Sequence, residues 1–210
     1  MNAMQELINN YPEVVFVGAA GNDNTSTPFY PAAYTNVIGV GSVDSDDTKS
    51  SFSNYNSGFP SWVDIASPGG FSYGGLLSTV YTNDLNSYAK FGGTSMAAPF
   101  AAGLAGLMLS VNPGLTPSEI LNCLVSSGVE INQNIGNRID AYAALICALP
   151  ETDDPIPAFT ASPQIVFEGQ SVGFSNYSVG GDNWEWSFEG GSPSTYQGEY
   201  PPEILYSTSG

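Results

Sequence analysis

The sequence of 210 residues contains no histidine, and its only basic residues, Lys49, Lys90 and Arg138, face 20 acidic ones, for a net charge of −17. The first absence removes the side chain that most often acts as a general base near neutral pH. The second excludes a basic patch able to displace the counterions of nucleic acid or to hold an anionic membrane surface. An acidic excess of this size instead favours high solubility and an extracellular or salty setting. Long apolar runs are missing as well. The longest candidate, residues 96–111, is interrupted by Pro99, Gly103 and Gly106 and falls short of the roughly 20 residues of a membrane-spanning helix. It is expected to be a buried helix of a soluble protein. The start, Met1-Asn2-Ala3-Met4-Gln5-Glu6-Leu7, has neither the basic region nor the long apolar region of a signal peptide. Cysteine occurs twice, at Cys123 and Cys147. In a secreted protein the pair suggests one disulfide, and two buried free thiols remain the alternative.

What is present divides the chain in two. Apolar residues make up 42% of it, enough for a core, and the length suits one domain of ordinary size plus a small second one. Residues 4–10 read as a short helix. Val14-Val15-Phe16-Val17-Gly18-Ala19-Ala20 and Val37-Ile38-Gly39-Val40-Gly41-Ser42-Val43 are continuous apolar runs, the pattern of strands buried on both faces of a parallel sheet. Trp62-Val63-Asp64-Ile65-Ala66 is a third, stopped by Pro68-Gly69-Gly70. A helix is expected from about Ser95 to Ser110, with Pro99 at the edge of its first turn. A second starts on a capping box, with Thr116 as N-cap, Pro117 at the first helical position and Glu119 at the third. A third covers 141–149. Strands alternating with helices predict an α/β domain built on a parallel sheet over residues 1–149. The proline-rich, polar residues 150–157 read as a linker. Beyond them, over 158–210, Phe159, Val166, Phe174 and Trp184-Glu185-Trp186-Ser187-Phe188 alternate with polar residues, the period of half-buried strands in an antiparallel sandwich. Trp184, Trp186 and Phe188 are expected in its core.

The chemistry centres on Ser95. Glycines before it let the backbone approach a substrate, and Ala97, Ala98, Ala101 and Ala102 after it let a helix lie close to a sheet. A serine at a helix start aims its own N–H and the positive helix end at a developing negative charge. A bare Gly-x-Ser is usually only a turn or an N-cap. The whole string Gly93-Thr94-Ser95-Met96-Ala97-Ala98-Pro99, however, resembles the nucleophile signature of the subtilisin-like serine proteases. Ala19-Ala20-Gly21-Asn22, after the first buried strand, resembles the segment of that family whose Asn donates its side-chain N–H to the oxyanion. Tyr30-Pro31-Ala32-Ala33-Tyr34, Ser51-Phe52-Ser53-Asn54-Tyr55 and Val63-Asp64-Ile65-Ala66-Ser67-Pro68-Gly69 are similar to the family in order and spacing. The resemblance spans roughly residues 5–148.

It implies the C-terminal part of a subtilisin-like three-layer domain, acting as an endopeptidase on protein or peptide substrates through an acyl-enzyme on Ser95, with Asn22 as second oxyanion donor. It implies that Ala19, Ala20 and Gly21 line the pocket for the residue before the scissile bond, with Phe29 near its base. Such an enzyme requires no cofactor. Some relatives bind a structural calcium or sodium ion with carbonyls of the Tyr-Pro stretch and a carboxylate matching Asp64, for which a solvated or capping Asp64 is the alternative. Asp44, Asp46 and Asp47 are read as an exposed acidic loop and not as a metal site, and no metal ligand is assigned. A secreted or cell-surface monomer is expected, binding neither nucleic acid nor membrane.

The family's order of catalytic residues is Asp, His, Ser. With no histidine, and with no Asp-Ser/Thr-Gly motif before Ser95, the chain is expected to be a fragment lacking the base and its orienting acid, and inactive by itself. The alternative is a non-catalytic, protease-like module that binds protein or polysaccharide. A generic α/β hydrolase is discounted because its Gly-x-Ser-x-Gly elbow would need glycine where Ala97 stands. After the linker, Ala158-Phe159-Thr160-Ala161-Ser162-Pro163 and the tryptophan run resemble the first part of a polycystic-kidney-disease (PKD) type sandwich. That family's Gly-Asp-Gly is replaced here by Glu189-Gly190-Gly191, and a truncated sandwich with exposed strand edges is expected.

Overall fold

A computed structural model of the chain describes residues 3–71, 74–81, 87–150 and 155–207. The chain forms two compact units, residues 1–150 and 151–210.

In the first unit, helix α1 (Ala3–Asn10) leads into strand β1 (Phe16–Ala19), followed by β2 (Val37–Val43) and β3 (Ile65–Pro68). With the two-residue β6 (Asn137–Arg138) they make a parallel sheet of order β1-β2-β3-β6. Every residue of β2 is buried, as its uninterrupted apolar sequence requires. The two faces of the sheet feed two clusters. Val40 and Ile65 point into one, shared with Ala97, Leu104, Met108, Ile120 and Leu124. Val43 and Ala66 point into the other, with Ala20, Val63 and Ile135. Strand β3 begins three residues later than the apolar run does, because the N–H groups of Trp62 and Val63 are taken by the Asn56 side chain at 3.0 Å instead of a ladder partner.

Between β3 and the next helix lies an antiparallel hairpin, β4 (Leu76–Thr79) with β5 (Tyr88–Phe91), which the sequence did not signal. Helix α2 (Thr94–Val111) packs on β1, β2 and β3. Two expectations for it are corrected. Pro99 lies inside the helix, beyond its first turn, so the N–H it lacks is one the Ser95 carbonyl would have accepted. And α2 buries one face only: Thr94, Ala97, Ala101, Leu104, Ala105 and Met108 are covered, while Phe100 and Leu107 stay 49% and 53% exposed. At 18 residues it is long and apolar enough, by length and composition, to cross a membrane. Its covered face packs against the sheet.

Helix α3 (Pro117–Ser126) starts on the full capping box, Glu119 N–H donating to Thr116 Oγ1 and Thr116 N–H to Glu119 Oε2. Helix α4 (Ala141–Ala148) is capped by Asp140, which accepts from Ala143 N–H. Cys123 of α3 and Cys147 of α4 form a disulfide.

The second unit is entirely antiparallel among its described residues. Strands β7 (Phe159–Ser162), β8 (Gln170–Asn176), β10 (Gly191–Ser192) and β12 (Ile204–Tyr206) form one sheet of order β10-β12-β8-β7, and β9 (Glu185–Ser187) pairs with β11 (Thr195–Gln197). Phe159, Phe174, Trp186 and Phe188 form one aromatic cluster with ring centroids 4.9–6.3 Å apart. Of the three aromatics expected in the core, Phe188 is buried, whereas Trp184 and Trp186 are half-buried. Val166 lies outside any strand. Half of the linker, residues 151–154, lies outside the described residues, and Ile156 already bridges to Val179 of the second unit.

Candidate functional site

Ser95 is the second residue of α2, exposed, immediately after the wholly buried Thr94. The helix start is braced from below. Gly93 N–H donates to Gly69 O at 2.7 Å, and a Cβ on Gly69 would lie 2.7 Å from Gly93 O. The end of β3 and the start of α2 can therefore touch backbone to backbone only because residue 69 is glycine.

Thr94 ties this corner to the loop after β1. Its hydroxyl accepts from Gly21 N–H at 3.1 Å and donates to Asn22 Oδ1 at 3.0 Å, while its own N–H donates to the same Oδ1 at 2.9 Å. A backbone N–H can only donate, so the Asn22 atom facing it must be the oxygen. Nδ2 is thereby turned the other way, and among the described residues it meets no acceptor. The Ser95 N–H, in the first turn of α2, likewise has no intrahelical acceptor. Both donors border one space: a Cβ built on Gly93 would sit 3.5 Å from Asn22 Nδ2 and 3.8 Å from Ser95 N, with Asn22 Oδ1, already bonded by Thr94, at 3.7 Å. Glycine at 93 leaves that space open. A small anionic oxygen entering it would meet two N–H donors and the N-terminal end of an 18-residue helix.

The sequence thus brings Ser95 and Asn22, 73 residues apart, to one corner. Ala19, Ala20 and Gly21 lead into it. Ala20 and Gly21 are buried, and the Ala20 side chain packs in the core beside Val43 and Ala66. Ala20 N–H and Gly21 N–H, and the carbonyls of both residues, already bond within the protein. Neither residue has a free N–H, so what they offer a ligand is shape and at most a second bond to a carbonyl. The ring of Phe29 lies against Gly21, its Cγ 3.1 Å from where a Cβ would be. On the other side of Ser95, a cleft of about 330 Å³ is bordered by Leu76, Leu77, Phe91, Met96 and Phe100.

One residue of this corner carried no individual reading in the sequence. Asn54 is wholly buried. Its Nδ2 donates to Ala20 O at 2.9 Å, its Oδ1 accepts from Asp23 N–H at 2.9 Å and Thr25 N–H at 3.2 Å, and its backbone N–H donates to Gly21 O at 3.0 Å. Nearby, Lys49 Nζ donates to Asn24 Oδ1, Ser50 O and Ser53 O and lies 5.3 Å from the Tyr55 ring centre. Partial burial holds its pKa below the usual lysine value. Only the string Ser51-Phe52-Ser53-Asn54-Tyr55 could have pointed to Asn54.

Asp64 lies apart from this corner. Its Oδ2 accepts from Gly39 N–H at 2.7 Å, and burial pushes the carboxyl up to about 6 against that bond's opposing pull. It borders a cleft of about 500 Å³ together with Ala33, Tyr34 and Asn36. Among the described residues no three His, Cys, Asp or Glu side chains gather at one point. Asp64 would offer a hard cation here its second carboxylate oxygen, a donor that suits calcium or sodium in type. In the acidic loop, Asp46 accepts from Thr48 and Asp47 pairs with Arg138 at 2.6 Å.

Comparison with known proteins gives the following. The family profile described as "Subtilase family" matches residues 1–143. The halolysin-like extracellular serine protease Nep of Natrialba magadii is 40% identical over 141 residues, covering 67% of this chain and 24% of that protein. Thermitase of Thermoactinomyces vulgaris is 39% identical over 135 residues, covering 62% of this chain and 44% of its own. Among solved structures, a protease of Pseudoalteromonas arctica superimposes with a TM-score of 0.64 at 34% identity, covering 70% of this chain and 47% of that one. The chain spans less than half the length of each of these relatives.

Proposed function

Since the chain belongs to the subtilase family, whose members are serine proteases, we propose that Ser95 is the nucleophile of a peptide-hydrolysing site and that Asn22 Nδ2 and the Ser95 N–H form its oxyanion hole. The observation that carries this reading is the pair of hydrogen bonds that Thr94 N–H and O–H donate to Asn22 Oδ1, which leaves Nδ2 free to donate beside the space the Ser95 N–H also borders. Ser95 Oγ attacks the scissile carbonyl, and the oxygen of the tetrahedral intermediate takes up hydrogen bonds from the two donors. Collapse of the intermediate breaks the C–N bond, the leaving amine taking the proton that the base removed from Ser95 Oγ, and leaves an acyl-enzyme, whose ester water hydrolyses to the free acid with the proton returned to Ser95. The segment Ala19-Ala20-Gly21 backs the pocket for the residue before the scissile bond, half-buried Ala19 lying nearest solvent, and the Phe29 ring limits its depth.

Activation of Ser95 needs a base, and these 210 residues contain no histidine. The base and the acid that orients it come from polypeptide outside them, consistent with a chain that matches only 24% and 44% of these relatives. The 210-residue chain alone therefore cleaves peptides poorly or not at all. The full-length natural product should be labelled by a fluorophosphonate probe, and its Ser95→Ala variant should not. Absence of labelling in both would favour the second reading, a non-catalytic protease-like module, for which the missing histidine is the supporting observation.

The all-antiparallel second unit is compatible with a PKD-type sandwich after the peptidase part. A secreted protein acting on protein or peptide substrates as a monomer fits both the acidic composition and a relative described as extracellular. The chemistry requires no cofactor. A structural calcium or sodium ion at Asp64 is tested by thermal denaturation. Added calcium should raise the melting temperature of the native sequence and leave Asp64→Asn unmoved.

A further inference from the structure

We infer that Asn54 is a positioning residue for the oxyanion contact, holding the loop that carries Asn22 by both ends of its carboxamide. The inference rests on the reading of Ser95 and Asn22 given above and adds a residue to it. Asn22 itself is exposed and sits on a loop, where backbone position is ordinarily soft. Thr94 fixes its side chain, yet nothing in Thr94 fixes Asp23, Asn24 or Thr25. Asn54 does so from inside the protein. Its four bonds fall on Ala20, Gly21, Asp23 and Thr25, two residues before Asn22 and two after it.

The chemistry admits few substitutes. Ala20 O can only accept and the N–H groups of Asp23 and Thr25 can only donate, so the site needs one donor and one acceptor on a short planar side chain. Aspartate has the shape but would set an oxygen against Ala20 O, and a buried, unpaired charge is costly. Serine is too short to span both partners. The fit is close as well as polar. Gly21 has φ +99, and a Cβ there would fall 2.5 Å from Asn54 Nδ2, so residue 21 must be glycine for the loop to close over Asn54. Lys49 anchors the same stretch from the outer side through Ser50 O, Ser53 O and Asn24 Oδ1, which makes the Asn54 segment a firm base for the loop.

A misplacement of about 1 Å can cost roughly 100-fold in rate. In the full-length natural product Asn54→Asp should therefore lower kcat about 10- to 100-fold and leave KM nearly unchanged, because the donor it displaces acts on the transition state. The decisive comparison is the double variant. Asn22→Ala/Asn54→Asp should turn over at the rate of Asn22→Ala alone, since no side-chain donor is left to misplace. Losses that multiply, an effect confined to KM, or native turnover in Asn54→Asp would overturn the inference.

A second readout does not depend on catalysis. In NMR spectra of the 210-residue chain, Asn54→Asp should shift the Asn22 side-chain amide and the Thr94 backbone amide while leaving the amides of β8 and β12 in place. Unmoved Asn22 and Thr94 signals would overturn the inference even if the full-length product proved inactive. Loss of hydrolysis by the native protein with shifted signals would instead overturn only the reading it rests on. Should Asn54→Asp fail to fold, Asn54→Ala, which removes the carboxamide without adding charge, is read in the same way.

Discussion

The corner at Ser95 and the aromatic cluster of the second unit are held by different means. At Ser95, segments 20–25, 49–54, 69 and 93–95 are joined by hydrogen bonds across 24 to 73 residues of sequence, with buried Thr94 and Asn54 at the joints. In the second unit the cluster is carried by apolar contact, and Phe159 at its edge is 60% exposed. Among the described residues of that unit only Val172, Phe188 and Ile204 are buried hydrophobics, whereas the first unit has two full clusters. The difference teaches that polar side chains at buried joints can hold distant segments in one fixed geometry where apolar contact alone leaves an edge open. It also teaches that a small sheet structure with a thin core depends on whatever further apolar surface it can cover.

The largest expected effect separates the units directly. Hydrogen exchange should protect amides of β2 and α2 at least about 100-fold more than those of β8 and β12, and thermal unfolding should proceed with the second unit first. A single coincident transition would break the comparison. Next comes the disulfide, which joins α3 to α4 across 24 residues. Replacing Cys123 and Cys147 by serine should cost the first unit about 3 kcal/mol, lowering its melting temperature by roughly 10 °C while the second unit's transition stays in place.

A smaller effect should follow pH. The folded-state pKa of Asp64, about 6, lies above the ordinary 3.8. The folded chain therefore keeps a proton that the unfolded chain releases. The contribution of this group is full below about pH 4 and is lost as pH rises through 6, by at most about 3 kcal/mol. Asp64→Asn keeps an acceptor for Gly39 N–H and should flatten that part of the stability profile of the first unit. A slope unchanged by the substitution would show that another group carries it.

Much of the first unit was legible because its signals are local. The apolar runs gave β1 and β2 within a few residues, and Thr116, Pro117 and Glu119 marked the start of α3 by chemistry confined to four positions. The hairpin β4–β5 escaped because it is short and largely exposed, so no periodic burial marks its residues. The late start of β3 depended on Asn56 capturing two N–H groups, which the strand-like run Trp62-Val63 conceals. The half-covered state of α2 was hidden for a related reason. An apolar sequence states what a helix can bury and leaves open which face the chain will cover. At the site, Ser95 and Asn22 stood out because the strings around them resemble those of the subtilisin-like serine proteases. Thr94 and Asn54 act through contacts 29 to 73 residues away, and such pairings have no local signature.

The central claim is that Asn22 and Ser95 act together on one oxyanion. Steady-state kinetics of peptide hydrolysis by the full-length natural product and its Asn22→Ala variant tests it most directly. The account predicts a loss in kcat of about 100- to 1000-fold, the size known for the oxyanion asparagine of subtilisin, with KM nearly unchanged and the fold intact. Native kcat in Asn22→Ala would contradict it.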